Sequence, residues 1–221
     1  AELTLLGSSE ITVNDLETDL AAGGTSGQVT VNTDEISGTS LTSEAMDITA
    51  GSGRLVVNGR DSGNETPDDN LDITIDASFL ADGVVDTDDD GVIETADADL
   101  VLTGDTEYEI TNTEAGEEVT IDASGLSASG DLTLLGDGDF NLINTTEDVT
   151  APDLAGELTV TTKQYSTADV ITVTAGSGIL TANAVDAEDE ITVQSDALVD
   201  LDTADDELAD GGNAESDDFE M

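Results

Sequence analysis

Leu100-Val101-Leu102-Thr103-Gly104, then Tyr108-Glu109-Ile110-Thr111, then Val119-Thr120-Ile121-Asp122-Ala123-Ser124-Gly125-Leu126: the reading of this stretch decides the fold. Each piece alternates apolar and polar residues over four or five positions, the period of a half-buried strand. The opening piece recurs as Leu3-Thr4-Leu5-Leu6-Gly7 with Ile11-Thr12-Val13-Asn14, and as Leu132-Thr133-Leu134-Leu135-Gly136 with Phe140-Asn141-Leu142-Ile143. The closing piece recurs as Ile73-Thr74-Ile75-Asp76-Ala77-Ser78-Phe79-Leu80 and Ile191-Thr192-Val193-Gln194-Ser195-Asp196-Ala197-Leu198. Between these ends the outer copies share two pieces that the middle copy lacks. Gly27-Gln28-Val29-Thr30-Val31 matches Gly156-Glu157-Leu158-Thr159-Val160, and Thr49-Ala50-Gly51-Ser52-Gly53 matches Thr174-Ala175-Gly176-Ser177-Gly178.

The shortened middle copy bears on architecture. Losing internal strands from a β-sandwich unit would expose both of its sheets. In a solenoid each rung touches only its neighbours, so whole rungs can be lost while the stack continues. The reading is therefore all-β, with a parallel β-solenoid of irregular repeats preferred. A tandem or elongated β-sandwich is the alternative, because strand spacing is uneven and 61–70 and 86–97 are long insertions. The expected organisation is a first β unit over 1–80, a junction over 81–99, a short middle unit over 100–131, a third unit over 132–199 and an acidic tail over 200–221. Helical periodicity is nearest at 15–22, and Gly23-Gly24 ends it at once.

Fifty-three acids against three bases give a net charge of −50 on 221 residues. Such a chain repels itself, and divalent cations that bridge carboxylates or molar salt that screens them would relieve the repulsion. Val, Ile, Leu and Thr are regularly placed and proline occurs only at Pro67 and Pro152, so the chain is read as folded, conditionally on ions. With no cysteine there are neither disulfides nor thiolate metal sites. No apolar run approaches the roughly 18 residues of a membrane span. Nothing basic and then apolar opens the chain at Ala1, so a secretion signal is expected to have been removed or never used. Phosphate binding needs clustered Lys and Arg, which excludes nucleic acid as a partner and makes anionic membrane a poor one.

One segment has the spacing of an ion site. Asp86-Thr87-Asp88-Asp89-Asp90-Gly91-Val92-Ile93-Glu94-Thr95-Ala96-Asp97 sets carboxylates at loop positions 1, 3, 5, 9 and 12 with glycine at 6. Ca²⁺ takes six to eight oxygens, and a tightly wound loop converges alternate side chains on one point. The expected ligands are Asp86, Asp88, Asp90, the Val92 carbonyl, Glu94 (directly or through a water) and Asp97. The loop resembles those of EF-hand proteins, and more closely the dockerin variant that ends in Asp. The resemblance covers these twelve residues only, since Ala98-Asp99-Leu100-Val101-Leu102 reads as the start of a strand where a dockerin has a helix. The ion would thus clamp a junction between β units.

The Leu-Thr-Leu-x-Gly, Thr-Ala-Gly-Ser-Gly and Ile-Thr-Val blocks, over most of 1–198, look like the repeats of secreted calcium-dependent bacterial or archaeal surface proteins, haemolysin-type adhesins and S-layer proteins among them. That resemblance implies a cell-surface location. The Gly-Gly-x-Gly-x-Asp nonapeptide of RTX β-rolls is absent, so calcium ligation inside the coils is not implied. A second, weaker calcium site is read at Asp61, Asp68 and Asp69. Asp186, Glu188 and Asp189, and Asp137 with Asp139, are further acid groups that an ordinary solvated loop also explains. In the tail, Phe219 and Met221 are candidate apolar anchors.

Catalysis finds little support. Without histidine or cysteine no nucleophile–His arrangement exists. A calcium-assisted lyase would need a base among Arg54, Arg60 and Lys163, in a field that repels anionic sugars. No carboxylate pair stands out for glycoside hydrolysis. Phe79, Tyr108, Phe140, Tyr165 and Phe219 are too few for a sugar platform. The expectation is a non-enzymatic, calcium-dependent extracellular structural protein that self-assembles into a homo-oligomer or homopolymer, as a surface-layer, filament or matrix subunit. The alternatives are an adhesin stalk stiffened by calcium and a halophilic surface protein with no specific ion.

Overall fold

The computed structural model describes residues 2–16, 18–33, 45–59, 72–80, 98–104, 106–126, 132–163, 170–184, 190–195 and 198–203. Its strands run, in chain order, β1 (Glu2–Gly7), β2 (Ile11–Leu16), β3 (Asp19–Thr25), β4 (Val29–Thr33), β5 (Ala45–Thr49) and β6 (Leu55–Gly59). There follow β7 (Asp72–Asp76), β8 (Leu100–Gly104), β9 (Glu107–Asn112), β10 (Glu118–Leu126), β11 (Leu132–Gly136) and β12 (Asp139–Thr145). The last are β13 (Val149–Ala151), β14 (Leu158–Thr162), β15 (Val170–Ala175), β16 (Ile179–Ala184), β17 (Glu190–Ser195) and β18 (Leu198–Thr203). No helix occurs among the described residues, and 15–22 lies mostly in β2 and β3.

Odd-numbered strands form one nine-stranded sheet and even-numbered strands another, each in sequence order. Every neighbouring pair is parallel, from β1 with β3 through β16 with β18. The chain therefore alternates between two sheets and advances one step per pair of strands. That is a parallel β-solenoid, the preferred reading, and not a sandwich.

Period-2 alternation explains the packing. On β4, β6 and β14 the pattern is buried at the first, third and fifth residues. Inward residues then stack rung on rung. One column passes through the eight even strands from β2 to β16 as Ile11, Val29, Leu55, Leu100, Ile121, Leu142, Val160 and Ala182. A column of the odd sheet runs Met46, Ile73, Tyr108, Leu132, Val149, Val173 and Val193. One hydrophobic cluster accordingly spans the stack from Leu16 to Leu180. Burying apolar area on this scale is the main stabilising term, at about 25 cal/mol per Å².

The repeated blocks land where the strand count puts them. The opening blocks are β1, β8 and β11 and the closing blocks are β7, β10 and β17, so the middle copy sits on the opposite sheet from the other two. The middle copy contains β8, β9 and β10, whereas the first contains β1 through β7, so the difference amounts to whole two-strand coils. Register continues across the insertions: β6 pairs β8 and β7 pairs β9 on either side of 81–97. The Thr-Ala-Gly-Ser-Gly pieces form equivalent corners. A Cβ on Gly53 would strike the Gly27 carbonyl, and one on Gly178 the Gly156 carbonyl. The stack also continues past residue 199 through β18, into the segment read as tail.

Candidate functional site

Several acids of the described coils share one recurrent place. They stand immediately before the first inward residue of a strand, as in Asp19-Leu20, Asp99-Leu100, Asp139-Phe140, Asp148-Val149 and Glu157-Leu158. Here a carboxylate reaches the backbone of the next coil. Asp19 Oδ1 accepts the Asp47 N–H at 3.3 Å and Asp99 Oδ2 that of Thr120 at 2.9 Å. Asp139 Oδ1 accepts from Glu157 N at 2.7 Å, and Asp148 Oδ1 from Thr172 N at 2.6 Å. Hydrogen bonds from N–H groups to a charged acceptor are stronger than neutral ones, so these acids stitch coil to coil.

The same placement brings like charges together. Glu118 is the register partner of Asp139, and Asp139 holds the amide of Glu157. Burial first, and then the negative charges of Asp139 and Glu157, push the Glu118 carboxyl above the ordinary carboxylate value. A carboxyl with a raised folded-state pKa favours the native state only while protonated. Its penalty is absent below the unfolded value, grows as pH rises through the window above it, and is complete beyond the raised value. Glu118→Gln is therefore expected to raise the melting temperature at neutral pH at low ionic strength and to change it little below the ordinary carboxylate range. An equal change at both pH values would show that repulsion is not the cause.

Amides form a second ladder on the outer side of the even sheet. Asn32 Nδ2 donates to Asn14 Oδ1 at 2.7 Å, Asn58 Nδ2 donates to Asn32 Oδ1, and Thr103 Oγ1 donates to Asn58 Oδ1 at 2.6 Å. Each side chain thereby ties one coil to the next, in the manner of the cross-strand pairs that stabilise sheets.

The calcium ligands read from sequence, Asp86, Asp88, Asp90, Val92, Glu94 and Asp97, lie outside the described residues. So do Asp61, Asp68 and Asp69, the acids Asp186, Glu188 and Asp189, and the anchors Phe219 and Met221. Asp137 is exposed while Asp139 is half-buried beside Glu118 and Glu157. The partners of Asp139 were missed by the sequence reading. Their signal was there, since Glu118, Asp139 and Glu157 share the position before an inward apolar residue. Among the described residues, no group of three or more acids is arranged to hold a metal ion. Lys163 donates from Nζ to the Ser124 carbonyl at 3.2 Å, and Arg54 stands one residue before Leu55, in register with Asp99 on the next even strand. No protein-family model, curated protein or solved structure matches this chain.

Proposed function

We propose that the chain is a calcium-dependent extracellular structural protein, self-assembling as a subunit of a surface layer, filament or matrix, without enzymatic activity. The observation that carries this reading is the placement of acids at the coil corners, where half-buried Glu118 faces the negative charges of Asp139 and Glu157. A rod of coils about 4.8 Å apart with an acid at many corners needs counter-ions to persist, and still more to meet another copy. Calcium in the millimolar range of extracellular modules fits that need. The sequence of 86–97 supplies a dedicated ligand set between β7 and β8, where an ion would hold two repeat units in register.

Chelation tests the reading. EDTA at low salt is expected to dissolve assemblies and lower β content, as followed by sedimentation and circular dichroism, and calcium to restore both. Asp88→Ala and Asp90→Ala should each move the calcium midpoint of light scattering upward by about tenfold, the change that one lost ligand contact of ~1.4 kcal/mol produces. Unchanged sedimentation and dichroism after chelation would refute it. The unbroken columns also suit a stiff adhesin stalk. A stalk would gain stability with calcium but remain monomeric. Full recovery in molar KCl without divalent ions would indicate a halophilic protein with no specific ion.

A further inference from the structure

On β4, β6 and β14 the outward residues are half-buried, but β10 is buried at all five positions from 119 to 123. Val119, Ile121 and Ala123 belong to the core, so alternation turns Thr120 and Asp122 to the outer face of the sheet. Both are nevertheless 0% exposed. Among the described residues, neither Thr120 Oγ1 nor Asp122 Oδ2 has a hydrogen-bond partner. The strand that carries them is fifth of the nine in its sheet, at the middle of the stack.

The repeated block supplies an internal comparison. Asp122-Ala123-Ser124 copies Asp76-Ala77-Ser78, and each aspartate accepts its serine's N–H with Oδ1, at 2.8 Å and 3.1 Å. The local turn is the same, but Thr74 and Asp76 are only half-buried. Asp122 lies between Val101 of β8 and Ile143 of β12, whose side chains have nothing to donate. A bulge follows it against β8, the kind of irregularity that re-aims side chains beside sites. Neither described base gives Asp122 Oδ2 a hydrogen bond. Lys163 Nζ donates to the Ser124 carbonyl at 3.2 Å, and Arg54 stands in register with Asp99. Asp99 in turn accepts the Thr120 N–H, which brings a second carboxylate beside Thr120.

An ionised carboxylate is costly to bury unless its charge is answered. A water molecule would satisfy the hydrogen bonds and leave the charge. With 53 acids against three bases, the field of the chain concentrates cations instead. We propose that the outer face of β10 binds one calcium ion through Asp122 Oδ2 and Thr120 Oγ1, oxygens that leave the same face two residues apart. Asn141, the register partner of Thr120 on β12, is half-buried on that face, and its amide oxygen and solvent complete the shell. Ca²⁺ accepts irregular oxygen geometry, whereas Mg²⁺ demands a near-ideal octahedron. One direct carboxylate places the affinity at the weak, millimolar end of the range that ligand charge sets. The site is distinct from the ligand set of 86–97 and does not rest on self-assembly. Its ion would tie β10 to β12 at mid-stack.

The test is hydrogen exchange of the β8, β10 and β12 amides in the full chain at low protein concentration, across a Ca²⁺ titration with ionic strength held by NaCl. Calcium at about ten times its midpoint should slow these amides by about tenfold. Thr120→Val and Asp122→Asn should each raise the midpoint at least about tenfold. Asp76→Asn, in the half-buried copy of the turn, should leave it unchanged, and so should Asp88→Ala/Asp90→Ala. Without calcium, Thr120→Val should exchange no faster than the parent, because it removes only an unpartnered hydroxyl. Faster exchange with and without calcium would show a structural role and overturn the site. If Asp122→Asn does not fold, Thr120→Val decides alone. No calcium response, or one that NaCl reproduces, overturns the site. So does a response that Asp88→Ala/Asp90→Ala removes and Thr120→Val leaves intact, which assigns the ion to 86–97. Sedimentation of the parent reads the proposed function separately. Assembly without β10 protection sinks this site alone, and β10 protection in a chain that stays monomeric sinks self-assembly alone.

Discussion

Tyr108→Ala should destabilise the protein by about 4 kcal/mol, in the range for truncating a buried aromatic side chain, and Tyr108→Phe by about 1–2 kcal/mol from hydrogen bonding alone. Tyr108 is 2% exposed, in the middle of the odd-sheet column between Ile73 and Leu132. Its hydroxyl reaches the opposite sheet, accepting the Gly59 N–H at 2.9 Å and donating to the Thr103 carbonyl at 3.0 Å. One side chain on β9 thus ties the ends of β6 and β8 across the core. Gly59 is matched to it, since a Cβ there would approach both the Tyr108 hydroxyl and Thr106. Alanine removes the ring and also strands the buried Gly59 N–H, whereas phenylalanine keeps the ring and strands the N–H. In a solenoid stability passes from rung to rung, so a defect in a central coil uncouples the coils on either side. The alanine variant should therefore show a broadened or two-step denaturant transition, and the phenylalanine variant a single transition at a lower midpoint. Equal losses for the two would mean that the ring contributes nothing beyond its hydroxyl.

What sequence reading could reach follows from the range over which its signals act. Alternation is a property of neighbouring residues, so β4, β7, β11 and β14 were visible as strands, and the missing pieces of the middle copy argued for removable rungs. Which sheet each block joins was not visible. That depends on how many strands intervene, and a short strand such as β13, Val149–Ala151, leaves little trace in the sequence. The role of Tyr108 was hidden for a similar reason, because its partner Gly59 is 49 positions away. The carboxylate column was half legible. Asp139 drew notice as part of an acidic turn with Asp137, yet its neighbours are the corner acids one coil away on each side, Glu118 and Glu157. Local clustering pointed along the chain, while the physical cluster runs across it, at the spacing between parallel strands.

Gly104→Ala and Gly136→Ala are each expected to cost about 3 kcal/mol, and Gly7→Ala only about 1–2. The smaller figure is the strain of a non-glycine residue at positive φ, about 1–2 kcal/mol, and all three sites bear it. The larger adds overpacking, about 1–3 kcal/mol where a methyl group must displace well-packed neighbours. The displaced neighbour at these two sites is backbone: the carbonyl of Gly59, in register with Gly104, and that of Asn112, in register with Gly136. Backbone cannot rotate away as a side chain would. The Asn112 carbonyl also accepts the Gly138 N–H at 3.0 Å, so moving it disturbs the next corner as well. Denaturant unfolding of the monomer at low protein concentration measures these differences directly. The order Gly104 and Gly136 well above Gly7 would show that the corners exist for close coil approach rather than for the turn alone. Equal costs would show the reverse.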